Sequence, residues 1–318
     1  YKNVFQADDE TLFRTLLTAK ELGGLVMVHA ENGDVIDYLT KKALAEGKTD
    51  PIYHALTRPP EVEGEATGRA AQLTGLAGSQ LYVVHVSCAD AVEKIAEARS
   101  KGFDVWGETC PQYLVLDQTY LEKPDFEGAK YVWSPPLRDK LHQDVLWNAL
   151  KTGVLQTLGS DQCSFDFKGQ KDLGKEDFTK IPNGGPIIED RLSILFSEGV
   201  KKGRISLNQF VDMTSTKTAK LFGLYPKKGT IAVGSDADLV LFDPAAERTI
   251  SAETHHMAVD YNAFEGMQVT GEPVSVLSRG EFVVRDKQFA GRAGKGQYQK
   301  RAKYGELLDT SENPKISI

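Results

Sequence analysis

Cysteine is scarce in this sequence of 318 residues, which contains only Cys88, Cys110 and Cys163 and no Cys-x-x-Cys pair. An odd number without such pairs argues against a disulfide framework and a structural zinc site, and it favours reduced thiols in the cytoplasm. Apolar runs of the ~18 residues that a membrane-spanning helix needs are also missing. No basic stripe stands out, and the net charge is -7. We therefore expect a cytoplasmic protein with neither a membrane nor a nucleic acid as its partner.

What the sequence does contain is typical of a globular protein, with 41% hydrophobic and 26% charged residues. Helical periodicity alternates with short apolar runs that predict strands. The predicted strands are at residues 25–28, 80–84, 103–108 and 155–158. The predicted helices are at residues 11–21, 32–46, 65–76, 89–101, 140–152, 186–202 and 207–222. Proline-containing segments at residues 58–61 and 109–114 are expected to be loops.

This alternation predicts an α/β fold with a parallel sheet. Four strand-and-helix units can be counted, whereas a closed (β/α)8 barrel needs eight units in ~250 residues. We therefore expect residues 1–224 to form the second half of a TIM-type (β/α)8 barrel, with the first half outside this sequence. Hairpin patterns at residues 229–243 and 273–289 predict a segment of a small β-sandwich domain over residues 225–290. Residues 291–318 are polar and are expected to form a C-terminal tail.

Three residues with metal-binding side chains follow three predicted strands: His29, His85 and Asp161. The carboxyl ends of barrel strands carry the chemistry of this fold, so the three side chains should project from one face. Each has an ordinary alternative when taken alone. Either histidine could be a buried ring satisfied by a backbone carbonyl, and the aspartate could belong to a turn or a helix N-cap. Their shared position favours a zinc site with open coordination positions.

Five short segments around these residues occur together and in order, and they carry a resemblance to a known family. They are Val-His-Ala-Glu-Asn at 28–32, Val-His-Val-Ser at 84–87, Glu-Thr-Cys-Pro-Gln-Tyr-Leu at 108–114, Ser-Pro-Pro-Leu-Arg at 134–138 and Gly-Ser-Asp-Gln-Cys at 159–163. The chain resembles the cyclic amidohydrolases of the amidohydrolase superfamily, in the branch of D-hydantoinases and dihydropyrimidinases. A weaker signature that is common to the superfamily lies at residues 228–240.

The resemblance implies a site for two zinc ions, in which His29 and His85 hold one ion and Asp161 holds the other. It also implies further ligands upstream of the first residue, namely a His-x-His pair and a carboxylated lysine that bridges the ions. Such a site supplies hydroxide at neutral pH and polarises the amide carbonyl. The implied reaction is the hydrolysis of 5-substituted hydantoins or dihydropyrimidines to N-carbamoyl amino acids. The family also suggests a homotetramer.

The resemblance assigns roles to five residues of this sequence. Asp161 acts as a general base and then as a general acid, and Tyr1 donates a hydrogen bond to the oxyanion. Backbone groups at Ser134 and Asn183 hold the cyclic imide, and Phe5 helps to form the pocket for the substituent on ring carbon 5. Without the resemblance, Tyr1 is a rim aromatic, Phe5 is a packed loop residue, and the other two segments are ordinary turns.

Two other readings stay open at this stage. Allantoinases and dihydroorotases are related cyclic amidohydrolases, and Gln162 stands where many relatives carry histidine. Some animal relatives of dihydropyrimidinase lack the metal ligands and act as non-catalytic assembly proteins, although His29, His85 and Asp161 are retained here. Cys163 is interpreted as a residue that supports a ligand or packs, and not as a nucleophile, because no histidine lies near it in the sequence and the implied metal mechanism needs no thiol. The remaining histidines are interpreted as surface or structural residues: His54, His142, His255 and His256.

Overall fold

A computed structural model describes Lys2 and residues 5–305 of the chain. Strands and helices alternate through its first part, as the sequence pattern predicts. The strands are β1 (Val26–Val28), β2 (Gln80–Val83), β3 (Asp104–Thr109) and β4 (Thr157–Leu158). The helices are α1 (Asp9–Leu22), α2 (Gly33–Ala45), α3 (Ile52–Leu56), α4 (Pro60–Ala77), α5 (Ala89–Ser100), α6 (Pro111–Val115), α7 (Leu141–Thr152), α8 (Arg191–Ile194), α9 (Leu207–Val211) and α10 (Lys217–Leu221).

The four strands form one parallel sheet in the order β1, β2, β3, β4. Each neighbouring pair is joined by helices, which is the connection that parallel strands require. Every residue of β2 is buried, because helices cover the sheet and β2 lies between β1 and β3. The fourth strand is shorter than predicted, since only Thr157 and Leu158 pair with β3. All four carboxyl ends therefore lie along one edge of the sheet.

Two proline positions correct the sequence interpretation. Residues 58–61 were expected to be a loop, but α4 begins at Pro60. Residues 109–114 were also expected to be a loop, but Pro111 begins α6. The reason is the same in both places. Proline has no N–H to donate, and the first turn of a helix leaves its N–H groups without helical partners, so proline is well tolerated there.

Two of the predicted long helices contain wide turns. The helix expected at residues 186–202 begins at Arg191, and it continues beyond α8 as a π-helix over Leu195–Val200. The helix expected at residues 207–222 consists of α9, a π-helical turn over Asp212–Thr216, and α10. A capping box at Ser206 and Gln209 begins α9. The helical periodicity was therefore correctly recognised, but it does not reveal a change in hydrogen-bond spacing.

A second sheet follows and is antiparallel throughout. Its strands are β5 (Leu239–Thr249), β6 (Gln268–Ser278), β7 (Glu281–Arg285) and β8 (Gln288–Phe289), in that order. The hairpin expected at residues 273–289 is present. The hairpin expected at residues 229–243 is not, because the residues before Leu239 form turns and β5 pairs with β6 instead.

The second sheet and the chain segment after it both pack against the first part of the molecule. Phe242 lies on Phe196, with ring centroids 4.9 Å apart. Further along, the Ala302 N–H donates to Gly223 at 2.8 Å, and the Tyr304 N–H donates to Gly23 at 2.9 Å. These contacts place Tyr304 at the edge of the parallel sheet where the strands begin, opposite their carboxyl ends. No helix in the described part of the chain is long and apolar enough to cross a membrane.

Candidate metal centre and substrate pocket

The first two strands bring His29 and His85 together. His29 directly follows β1 and His85 lies just beyond β2, and these strands are paired in parallel. The Nδ1 atom of His29 lies 3.0 Å from the Nε2 atom of His85. Two imidazole nitrogens bound tetrahedrally to one zinc ion at 2.0–2.1 Å would lie about 3.3 Å apart. The spacing of the two atoms therefore fits shared coordination of one ion.

Glu31 fixes the orientation of His29. The Nε2 atom of His29 lies 2.9 Å from a Glu31 oxygen, and the glutamate side chain is only 5% exposed. Donation from Nε2 to this carboxylate leaves Nδ1 with a lone pair directed at His85, an arrangement that metal-binding histidines commonly adopt. Burial alone would raise the pKa of Glu31, but the hydrogen bond from His29 and two nearby arginines lower it to about 2. Sequence reasoning missed Glu31, although its place in the His-Ala-Glu segment was a usable signal.

His85 and Asp161 share an unusual backbone conformation. Their φ angles are 43° and 49°, in the left-handed region that non-glycine residues rarely adopt. His85 is buried, and its burial beside the His29 ring lowers its pKa to about 4. The ring is therefore neutral at pH 7, which is the state in which imidazole binds metals. Its Nδ1 atom is buried without a hydrogen-bond partner among the described residues.

Asp161 lies at the end of the fourth strand, where the sequence predicts it. Loss of part of its hydration raises the pKa of its carboxyl, and the proximity of His29 opposes this effect. Within residues 5–305 and Lys2, no group of three or more His, Cys, Asp or Glu side chains is arranged to hold a metal ion. The structure thus pairs the two histidines and does not bring Asp161 into a three-ligand cluster with them.

A cavity of about 750 Å³ opens beside the histidine pair. Its lining includes His29 together with three residues that the resemblance assigns to substrate: Phe5, Ser134 and Asn183. The side chain of Asn183 donates to the Ser134 hydroxyl at 3.0 Å, so the two predicted substrate segments are in contact. Phe5 is 82% exposed. Tyr1, which the resemblance predicts to donate a hydrogen bond to the oxyanion, lies outside the described residues.

His54 also lines this cavity and is not a surface residue. It is 1% exposed, and its Nε2 atom lies 2.6 Å from the carbonyl oxygen of Trp133. Burial and the neighbouring Arg58 lower its pKa well below the ordinary value. His54 is therefore a neutral donor that supports the backbone next to Ser134. Its burial depends on contacts with residues 133 and 134, which sequence spacing does not reveal.

A buried ion pair lies behind the site. Arg138 and Glu63 have side chains only 4% and 3% exposed, and they meet at 2.8 Å. Glu63 also accepts from the Ser87 N–H at 2.8 Å, and Arg138 donates to the Ser87 hydroxyl at 3.0 Å. These bonds join α4, the loop that carries His85 and the segment that begins at Ser134. The pair therefore holds the loop that carries His85 against the segment that begins at Ser134.

This pair of strand-end histidines beside a cavity occurs in a chain that belongs to the amidohydrolase family, whose sequence pattern matches residues 2–283. Membership of this family implies a metal cofactor. Within the family, the chain belongs to the branch of D-hydantoinases and dihydropyrimidinases. It is 83% identical over 317 residues to a D-hydantoinase of Geobacillus stearothermophilus, a match that covers 100% of this chain and 67% of that protein. It is 46% identical to the dihydropyrimidinase of Rattus norvegicus, over 97% of this chain and 60% of that protein.

Solved structures agree with these sequence matches. A crystal structure of a D-hydantoinase superposes with a TM-score of 0.95 at 86% identity, and the match covers 96% of this chain and 66% of that one. The dihydropyrimidinase of Brevibacillus agri gives a TM-score of 0.95 at 77% identity, again over 96% and 66%. The chain thus spans about two thirds of the length of most of these relatives.

Proposed function

We propose that the protein containing this chain hydrolyses the cyclic amide bond of 5-substituted hydantoins or dihydropyrimidines and releases N-carbamoyl amino acids. The observation that carries the proposal is the meeting of the His29 and His85 nitrogens at 3.0 Å beside the cavity. The similarity to D-hydantoinases supports the choice of substrate class. A ring that contains two amides has the size and polarity for a cavity lined by hydroxyl, amide and apolar side chains.

The proposed cofactor is a pair of zinc ions. His29 and His85 would hold one ion and Asp161 the other, with the remaining ligands, including the bridging carboxylated lysine, supplied upstream of residue 1. Neutral imidazoles and carboxylates are the donors that zinc prefers, and the orientation of His29 by Glu31 supports this choice. When bound, the metal supplies an acidified water and polarises the amide carbonyl.

The proposed roles of the side chains follow from the chemistry of amide hydrolysis. Asp161 takes a proton from the attacking water as the new C–O bond forms, and it passes that proton to the ring nitrogen as the C–N bond breaks. The Tyr1 hydroxyl donates to the oxyanion between these steps. Backbone groups at Ser134 and Asn183 bind the imide edge, and Phe5 covers the substituent on ring carbon 5. The contact between Ser134 and Asn183 supports their joint role.

The same reading extends to the architecture. We propose that residues 1–224 are the second half of a (β/α)8 barrel, that residues 225–290 are part of a β-sandwich domain, and that residues 291–318 form the tail. The four-stranded parallel sheet and the separate antiparallel sheet support these divisions. A homotetramer in the cytoplasm completes the proposal, and the absence of cystine bonds among the three cysteines is compatible with a reducing compartment.

The test is metal content and turnover in the complete protein that contains this chain. Elemental mass spectrometry should give close to two zinc ions per chain, and hydantoin and dihydrouracil should be opened faster than allantoin. His85→Ala should reduce the zinc content and abolish turnover. The control is His256→Ala, because the His256 side chain is 84% exposed and pairs with Glu189 rather than with His29 or His85.

Two outcomes would contradict the proposal. Zinc content near zero after growth with zinc would leave the fold without its proposed cofactor and would favour a non-catalytic assembly protein. Faster opening of allantoin than of hydantoin would support hydrolysis of a cyclic amide but would show that the proposed substrate is wrong.

A further inference from the structure

Lys171 is the largest charged side chain that is completely buried in the described part of the molecule, with 0% exposure. It lies in the polar segment between Asp161 and Gly185, at the start of a short 3-10 helix over Lys171–Gly174. Its partners are not carboxylates. The Nζ atom donates to the carbonyl oxygen of Pro182 at 2.8 Å and to that of Val132 at 3.3 Å. A lysine is rarely buried in this way, because removing an ammonium group from water is costly.

The two carbonyl groups lie one and two residues before the proposed substrate-binding positions. Pro182 precedes Asn183, and Val132 lies just before Trp133 and Ser134. The Val132 carbonyl also accepts from the Gly184 N–H at 3.0 Å. Lys171 therefore adds a buried side-chain connection between two stretches of backbone that are far apart in the sequence. The Asn183 to Ser134 hydrogen bond lies on the cavity side of the same junction.

We propose that Lys171 is a positioning residue, which joins the Val132–Ser134 and Pro182–Gly184 segments so that they present one rigid binding edge to the cyclic imide. The residue does not touch the substrate. It acts through two backbone segments whose own peptide groups make the contacts. This inference rests on the proposed substrate roles of Ser134 and Asn183, and it adds a residue to which neither the resemblance nor the sequence pattern gives a role.

The chemistry of lysine suits this position. Burial lowers the pKa of Lys171 to about 7, so charged and neutral forms coexist near neutral pH. An ammonium group has three N–H donors and a neutral amine has two. Both forms can therefore satisfy the two carbonyl groups, and the junction does not depend on the charge.

The first experiment compares Lys171→Met with the parent protein. Methionine is unbranched and similar in length but has no N–H donor. If the segments are no longer joined, KM for hydantoin should rise about tenfold, the factor expected for one net hydrogen bond, while kcat changes less. Lys175→Met is the matched control, because Lys175 lies in the same segment and is exposed. It should keep both constants. An unchanged KM in Lys171→Met would overturn the inference while leaving the proposed function intact.

The second experiment does not depend on turnover. Hydrogen–deuterium exchange should accelerate in Lys171→Met for peptides that contain residues 132–134 and 182–185, and it should not change in α5. Unchanged exchange in the two segments would refute the joining role whether or not the protein hydrolyses hydantoin. If the parent protein neither binds nor hydrolyses hydantoin, the proposed function fails, and the exchange result alone then decides whether Lys171 joins the segments.

Discussion

At the scale of single residues, the carboxylate beside His29 gives the site a defined histidine tautomer. The proton on His29 Nε2 is directed to Glu31, which leaves the Nδ1 atom that faces His85 free to accept a bond. The positions of His29 and His85 at the ends of two strands are predictable from the sequence, because strand periodicity and chain order suffice for that. The contacts of Lys171 were not predicted, because periodicity does not encode side-chain contacts. Glu31 was also missed, although its spacing from His29 was a usable signal.

Glu31→Gln is expected to weaken metal binding without removing a ligand. The amide cannot accept the His29 proton as a charged group does, so the tautomer with Nδ1 free loses its preference. We expect metal affinity to fall about 10- to 100-fold, as measured by competition with a chromophoric chelator. Glu189→Gln is the control, since Glu189 makes a similar 2.8 Å contact with His256 on the surface. Equal affinities in the two variants would argue against this role of Glu31.

Lys171 should also make stability depend on pH. Its pKa falls from 10.5 in the unfolded chain to about 7 in the folded protein. Between these values the unfolded chain binds more protons, so the free energy of unfolding should rise from about pH 7 to pH 10.5, and this gain is lost as pH falls from 10.5 to the folded pKa of about 7. The slope is at most ~1.4 kcal/mol per pH unit. Urea denaturation of the parent and of Lys171→Met should show a difference in stability that grows with pH, whereas a constant difference would contradict the shift.

At the scale of elements, α4 holds the two sides of the site together through Glu63. The strand and helix pattern was largely predictable, since alternating apolar runs and helical periodicity identify all four parallel strands. The wrong predictions concern places where the boundary of a helix or strand depends on single proline or turn residues. Proline at the first helical position was interpreted as a loop at Pro60 and Pro111, and turn residues before β5 were interpreted as a strand. Which strand pairs with which depends on residues far apart in the sequence. The local pattern at residues 229–243 therefore could not show that β5 pairs with β6.

Arg138→Met should be strongly destabilising because it leaves the Glu63 carboxylate buried without its cation. The expected loss in the free energy of unfolding is about 3–5 kcal/mol, measured by denaturant titration. Glu63→Gln should cost less, since the amide oxygen can still accept from Arg138. Arg14→Met is the control, because Arg14 pairs with Glu10 on an exposed helix face and should show little change. A small effect of Arg138→Met would mean that the pair does not hold these elements together.

At the scale of the whole molecule, the segment that follows the antiparallel sheet contacts the parallel sheet again. Tyr304 donates to Asp104 at 2.8 Å, and Trp106 donates to the same carboxyl oxygen at 2.6 Å. Tyr304 also packs against the small apolar cluster of Tyr82, Trp106 and Leu221. The polar tail that was predicted from composition is therefore partly docked. Composition could not show this, because the docking depends on specific contacts, namely the ring of Tyr304 and the backbone hydrogen bonds of Ala302 and Tyr304.

Tyr304→Ala should expose the lower edge of the parallel sheet. Removing this aromatic ring and its hydrogen bond should lower the free energy of unfolding by ~2–4 kcal/mol, measured by thermal or denaturant unfolding. Tyr298→Ala provides the comparison, because Tyr298 belongs to the same segment and is 92% exposed. It should behave like the parent protein. If the two variants unfold alike, the docking of residues 302–304 contributes little to stability.

The distribution of the three cysteines has a practical consequence. Cys88 and Cys110 are buried and burial raises the pKa of both thiols. Cys163 is exposed, contrary to the packing role that the sequence suggests for it. Of the three cysteines in this chain, Cys163 should therefore be the one that a maleimide dye labels in the folded state. This residue lies two positions beyond Asp161, and its backbone packs closely against Gly184 beside Asn183. The molecule thus carries its own attachment point for a fluorescent reporter, which would register in real time when the pocket fills and empties.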